Sequence, residues 1–72
     1  MNYSMVIEWS DADRCFVVTL PEWADRYAMP CGEGNTYDEA LQSAKDALET
    51  FIDLAKRDNL PLPAPRSYTR VA

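Results

Sequence analysis

One long amphipathic segment in the second half of the chain limits the folds that the chain can adopt. Apolar residues recur there at the i, i+3, i+4, i+7 spacing of a helix, while the opposite face is polar. Just before it, residues 36–39 (Thr-Tyr-Asp-Glu) match a capping box, in which Thr36 and Glu39 can each bond the other's backbone amide. We predict one helix of about six turns, beginning after Thr36 and ending near Asp58, with this apolar face: Ala40, Leu41, Ala44, Ala47, Leu48, Phe51, Ile52 and Ala55.

The first third of the chain predicts a β-hairpin on which this helix can pack. Residues 3–9 and residues 15–20 alternate with a period of two, which is typical of half-buried strands. Residues 10–14 (Ser-Asp-Ala-Asp-Arg) are a polar turn between them, and Pro21 ends the second strand because it has no N–H to donate. The positions that share a face are Tyr3, Met5, Ile7 and Trp9 in the first strand and Phe16, Val18 and Leu20 in the second.

Two further segments complete the predicted sheet and its return path. Residues 27–31 are predicted to form a short third strand at a sheet edge, followed by a turn at Gly32, Gly34 and Asn35, residues that tolerate positive φ. After the helix, residues 60–65 (Leu-Pro-Leu-Pro-Ala-Pro) favour an extended polyproline-like path. Residues 67–72 have strand propensity and leave two alternatives, a fourth strand or a mobile tail.

A chain of 72 residues is long enough for a single domain. We expect residues 1–72 to form one α+β domain, a small antiparallel three-stranded sheet packed on one long helix, with its core in residues 3–58 and a proline-rich segment and tail in residues 60–72. Domains of this size bury only about 60% of the surface of the unfolded chain. We therefore expect burial against another chain, as a homo-oligomer of two or four copies or with a partner, to add to the stability.

The charge balance favours a protein partner over a nucleic acid. Seven Lys and Arg residues stand against twelve Asp and Glu residues, for a net charge of −5. An acidic domain gains nothing from counterion release at a phosphate backbone, which argues against direct nucleic-acid binding. Opposite charge speeds encounter and suppresses wrong pairings, so the composition favours a basic partner.

The residue types exclude the common catalytic sites. The chain has no histidine, so Ser–His and Cys–His nucleophile pairs and most zinc sites are ruled out, and we expect neither an enzyme nor a cofactor. A carboxylate-dependent nuclease is a weak alternative, since Glu8 is the one acidic residue inside a predicted strand. Cys15 and Cys31 are interpreted as two small buried apolar residues, with a disulfide as the alternative. No basic leader followed by an apolar run is present, and we expect a cytoplasmic protein with no membrane segment.

The loop after the second predicted strand is the candidate contact site. It places large aromatic side chains beside carboxylates and a guanidinium, which are residue types enriched in protein–protein hot spots. An alternative is that Trp23 folds back and caps the open end of the core. The candidate partner-binding residues are Glu22, Trp23, Asp25, Arg26 and Tyr27.

Taken together, the order of these pieces resembles the HicB-like antitoxin family. The resemblance runs from Tyr3 to Pro65 and rests on four segments in succession. They are residues 7–9 (Ile-Glu-Trp), residues 16–22 (Phe-Val-Val-Thr-Leu-Pro-Glu), residues 34–48 from Gly-Asn-Thr-Tyr-Asp-Glu-Ala-Leu through Ala44, Ala47 and Leu48, and residues 59–65 (Asn-Leu-Pro-Leu-Pro-Ala-Pro).

This resemblance implies a fold and a function. The fold would be a β-β-β-α core, often with a final strand, described as a partial RNase H-like fold. The function would be to neutralise HicA, a small basic mRNA-cleaving toxin, by covering its active surface. The loop at residues 21–26 (Pro-Glu-Trp-Ala-Asp-Arg) departs from the Pro-Asp-Leu-Pro-Gly of many members. Many members also carry a C-terminal DNA-binding domain; because the sequence ends at Ala72 without one, we expect no operator binding. The alternative function is an orphan structural or regulatory domain that only oligomerises.

Overall fold

The computed structural model describes residues 2–71 as three strands, a 3-10 helix and one long α-helix. The strands form one antiparallel sheet in the order β1-β2-β3, and the long helix packs on one face of that sheet. This arrangement confirms the predicted α+β architecture of three antiparallel strands and one helix. The elements are β1 (Val6–Ser10), β2 (Cys15–Thr19), a 3-10 helix (Pro21–Trp23), β3 (Gly32–Gly34) and α1 (Tyr37–Arg57).

The long helix α1 begins and ends where its sequence predicts. Thr36 is extended, and its hydroxyl accepts a hydrogen bond from the Glu39 amide at 3.1 Å, which satisfies one of the free donors of the first turn. At the other end Asn59 takes a left-handed φ of 54°, and the Leu60 amide donates to the Ala55 carbonyl at 2.9 Å. This pairing is a Schellman ending, and it turns the chain sharply off the helix axis.

The β1–β2 hairpin also follows the predicted alternation, although its strands are shorter than predicted. Ile7 pairs with Val18 and Trp9 pairs with Phe16, so the predicted apolar positions share the face under α1. The first strand begins at Val6 rather than Tyr3, because the partner strand ends at Thr19 and the chain then enters the 3-10 helix.

The third strand lies directly after the segment predicted for it. Residues 27–31 form no strand, and β3 comprises Gly32–Gly34, paired with β2 through Phe16 and Val18. The predicted turn at Gly32 and Gly34 is therefore wrong as well, and neither glycine has a positive φ. Pro30 has no amide hydrogen for the ladder, whereas Cys31 donates to the Val18 carbonyl at 3.0 Å and the pairing continues from there.

The two glycines are required by the close approach of α1 rather than by a turn. A Cβ added to Gly32 would lie 2.8 Å from the Ala44 nitrogen, and one added to Gly34 would lie 2.6 Å from the Glu39 Cβ. Two residues along a strand span about 6.6 Å and four residues along a helix span about 6 Å. A Gly-x-Gly strand therefore matches Ala40 and Ala44 on the facing helix, and both alanines are fully buried.

The core has two parts that lie at opposite ends of the helix. One part is centred on Val18, Ala40 and Ala44, and the other on Leu20, Trp23 and Ala55. Leu62 packs against the second part, so the core extends beyond residues 3–58 into the proline-rich segment. Residues 60–71 contain no helix or strand; within residues 67–71 no fourth strand forms, and Ala72 lies outside the described residues.

Candidate protein-binding surface

Four aromatic rings form what we term the closed cluster, at the end of the domain that holds the second part of the core. Tyr27 stacks on Phe51 with ring centroids 4.1 Å apart, and Tyr3 meets Trp23 edge-on at 5.4 Å. The guanidinium of Arg26 lies over the Trp23 ring, 5.4 Å from its centroid. The closed cluster consists of Tyr3, Trp23, Tyr27 and Phe51, which the fold brings together from distant parts of the chain.

This arrangement corrects the predicted contact site. Trp23 is 0% exposed and Glu22 only 8% exposed, so neither side chain is available to a partner at the surface. The alternative in which Trp23 caps the open end of the core is the one that the structure contains. Tyr27 is half-buried against Phe51, while Asp25 and Arg26 stay exposed. Direct contact with a partner therefore remains a prediction for Asp25, Arg26 and the exposed part of Tyr27.

Glu22 instead ties two distant chain segments together. Its carboxylate accepts hydrogen bonds from the Arg66 amide at 2.8 Å and from the Ser4 amide at 3.0 Å. Nearby, the Tyr3 hydroxyl donates to the Pro63 carbonyl at 2.7 Å. Burial by itself raises the pKa of Glu22, but the backbone hydrogen bonds to its charged form outweigh burial, and the pKa is lowered from its ordinary value. The ionised carboxylate thus holds the proline-rich segment across the start of the sheet.

A second group of rings, which we term the open cluster, lies at the opposite end of the domain. Phe16 stacks on Tyr37 with centroids 4.3 Å apart and meets Trp9 edge-on at 5.2 Å. Trp9 is 50% exposed and Tyr37 is 63% exposed, although both belong to the packed sheet–helix layer. The open cluster, Trp9, Phe16 and Tyr37, therefore presents aromatic faces and edges to solvent.

The segments that carry the open cluster also carry carboxylates, one of which contacts Trp9. The Trp9 indole Nε1 donates to Asp11 at 3.0 Å, and Asp13 is bonded to the Ser10 hydroxyl in the same turn. The first turn of α1 adds Asp38 beside Tyr37. Among residues 2–71 the one ion pair joins Arg57 and Asp58, so none of the carboxylates near the open cluster is paired with a Lys or Arg of the described chain.

Only part of the open cluster could have been predicted from the sequence. Trp9 and Phe16 flank a short turn symmetrically, and antiparallel pairing places such residues side by side. What the sequence did not indicate is that Tyr37, the first helical residue, would reach Phe16. That contact depends on the close packing of α1 on Gly34, a residue that the sequence predicts to lie in a turn.

The surroundings of the two cysteines lower the reactivity of their thiols. Both cysteines are free; Cys15 is buried and Cys31 half-buried. Burial raises the pKa of both thiols, and for Cys15 the nearby Glu33 and Asp13 carboxylates raise the pKa further. Thiols with raised pKa values are weak nucleophiles. Between residues 2 and 71, no group of three or more Cys, Asp or Glu side chains is arranged to hold a metal ion.

The described chain contains no helix with the length and apolar character needed to cross a membrane. Comparison of the sequence and fold with models of protein families, with curated proteins and with solved structures gives no match. The function must therefore be inferred from the surface of the domain itself.

Proposed function

We propose that this protein is a HicB-like antitoxin domain, which binds a small basic mRNA-cleaving toxin of the HicA type and covers its active surface. The observation that carries the proposal is the open cluster, a set of exposed rings beside carboxylates with no cationic partner in residues 2–71. Exposed aromatic side chains are preferred anchors of protein interfaces, and unpaired carboxylates attract a basic surface. A partial RNase H-like fold and a cytoplasmic location belong to the same proposal.

The domain would act by contact and not by catalysis. No histidine is available as a general base, and the two thiols, whose pKa values are raised, are poor nucleophiles. Purified protein is expected to leave RNA intact with and without Mg²⁺. Cleavage that disappears in Glu8→Ala would contradict the proposal and revive the nuclease alternative.

The direct test is co-expression of the tagged domain with the products of adjacent genes, together with a growth assay. We expect recovery of a small basic protein that arrests growth when expressed alone and no longer does so beside this domain. An unrelated acidic domain of similar size, expressed at the same level, is the control for charge alone. Failure of the folded, soluble domain to capture a partner or to restore growth would refute the antitoxin role.

The second candidate is an orphan domain that only oligomerises. It is favoured by β1, which lies at one edge of the sheet and is the strand least covered by α1. Val6 on this edge strand is 42% exposed. A lysine on an edge strand blocks pairing with another chain, so Val6→Lys should dissociate such an oligomer in light scattering, whereas Val71→Lys, at another exposed valine, should not.

A further inference from the structure

We propose that the open cluster is an arginine-binding surface, on which an arginine of a basic partner protein stacks against Trp9 or Tyr37 and pairs with Asp11 or Asp38. This inference rests on the proposed function, since it names the surface and the side chain through which a basic partner would be held.

The first step is the accessibility of the rings. Trp9 and Tyr37 expose half or more of their surface, and Phe16 lies between them in contact with both. The Phe16–Tyr37 stack and the bond from Trp9 to Asp11 fix the orientation of the rings before a partner arrives. Rings that are already ordered lose little side-chain entropy on binding.

The second step is the local charge. The turn after β1, the strand β3 and the first turn of α1 meet at this end of the sheet, where Gly34 pairs with Phe16. The two turns carry four carboxylates, Asp11, Asp13, Asp38 and Glu39, and a single cation, Arg14; Glu33 of β3 lies on the opposite face of the sheet, beside Cys15. A cationic side chain is the group that such an arrangement of rings and carboxylates attracts.

The third step is a comparison inside the same molecule. At the closed cluster Arg26 lies over the Trp23 ring, 5.4 Å from the centroid, which is cation–π geometry. No lysine or arginine of residues 2–71 makes such a contact with the open cluster. The open cluster therefore shares the exposed or packed aromatic rings of such a site but has no arginine of the described chain over them.

The fourth step distinguishes arginine from lysine. A guanidinium is planar, so it can stack on a ring and at the same time form two parallel bonds to a carboxylate. An ammonium group is more strongly hydrated and offers no flat face for stacking. Rings and carboxylates in one place thus favour arginine, and the partner surface should carry exposed arginines.

The test uses hexa-arginine as the probe and follows the backbone and indole N–H signals of the ¹⁵N-labelled protein near 0.15 M salt, where charges separated by more than about 8 Å are screened. We expect the Trp9 indole signal and those of residues 10–16 and 37–39 to shift, while the signal of the buried Trp23 stays in place. Hexalysine should bind more weakly, and hexaglutamate and single-stranded RNA should not bind. Shifts that map elsewhere, or equal binding of hexalysine, would overturn the assignment.

Matched variants separate the open cluster from general surface charge. Loss of one stacking ring should weaken hexa-arginine binding roughly fivefold or more in Trp9→Ala and Tyr37→Ala. The control is Tyr68→Ala, since Tyr68 is 87% exposed and makes no aromatic contact within the described chain; its affinity should stay unchanged. Circular dichroism confirms that each variant is folded, and equal affinity in all three would refute the proposal.

The same variants distinguish this inference from the antitoxin role. If the unaltered domain captures a basic partner and Trp9→Ala captures it equally well, the antitoxin role stands and the surface is assigned wrongly. If the domain captures no partner but binds hexa-arginine at Trp9 and Tyr37, the surface stands and the antitoxin role fails.

Discussion

The open and closed aromatic clusters use similar residues but differ in what covers them. Both are built from two or more elements of the same sheet–helix layer, with ring centroids 4.1–6.3 Å apart. The 3-10 helix and the proline-rich segment close one end of the layer, with Leu62 against the core and Glu22 bonded to the Arg66 amide. No described segment closes the other end in this way, and Trp9 and Tyr37 stay exposed there.

This difference indicates separate roles for aromatic residues in one small domain. Rings covered by further chain segments stabilise the fold, because burying them removes a large apolar area from water. Rings at the uncovered end contribute less to stability and are free to meet another molecule. Stability and binding should therefore respond to substitutions in different clusters.

The largest expected effect is that of Trp23→Ala. Removal of a fully buried tryptophan typically costs about 3–5 kcal/mol, which is a large share of the stability of a 72-residue domain. Urea unfolding monitored by circular dichroism measures the loss, with Trp9→Ala as the matched control at an exposed tryptophan. Equal losses for the two variants would show that the clusters do not differ in burial.

Glu22→Gln tests the hydrogen bonds from the Ser4 and Arg66 amides at the end of the domain that holds the closed cluster. Hydrogen bonds to a charged group contribute roughly 1.5–3 kcal/mol, so a loss of this size is expected near pH 7, and much less in Glu49→Gln on the exposed helix face. Because the folded-state pKa of Glu22 is lowered from its ordinary 4.5, the carboxylate stabilises the fold above that pH. Its contribution is lost as the pH falls through the lowered pKa.

The measurement is therefore the unfolding free energy of both proteins between pH 7 and pH 3. The difference between the unaltered protein and Glu22→Gln should shrink below about pH 4.5, the unshifted value. A difference that grows as the pH falls would mean that burial, and not hydrogen bonding, controls this carboxyl group.

Gly34→Ala should disturb the open cluster and leave the closed cluster intact. The new Cβ would lie 2.6 Å from the Glu39 Cβ, so the start of α1 must move away from β3, at a cost of about 1–3 kcal/mol. Tyr37 would be drawn off Phe16, while the Tyr27–Phe51 stack should persist. Ring-current shifts of the four rings measure both outcomes, and Asn35→Ala in the adjacent exposed bend is the control.

The third strand was harder to predict from the sequence than the hairpin and the helix. Thr36, Glu39 and Asn59 are local signals, and the hairpin follows from alternation, so these elements were found. The third strand was misplaced because Gly32 and Gly34 were interpreted from their own conformational freedom. Their actual role depends on the helix that packs on them, which no local pattern reports.

The burial of Glu22 and Trp23, two of the five predicted contact residues, could not be predicted for a related reason. Trp23 belongs to a residue type enriched in hot spots and Glu22 is charged, but residue type does not tell whether a loop folds inward. Burial of Trp23 requires Phe51 and Leu62, and the Glu22 bonds require Ser4 and Arg66, all distant in sequence. Conversely, Trp9 is 50% exposed although it belongs to the apolar face predicted for the first strand.

The smallest expected effect on stability is that of Tyr37→Ala, one of the two substitutions expected to weaken binding. A stacked aromatic pair contributes about 0.5–1.5 kcal/mol, and Tyr37 is already 63% exposed, so the unfolding free energy should fall by less than about 1.5 kcal/mol. Tyr27→Ala, which breaks the matching stack at the closed cluster, should cost more because Tyr27 is half-buried against Phe51. Urea unfolding of the two variants compares the clusters ring for ring. Were Tyr37→Ala the more damaging of the two, the open cluster would be part of the stabilising core, and its exposure would carry no implication for binding.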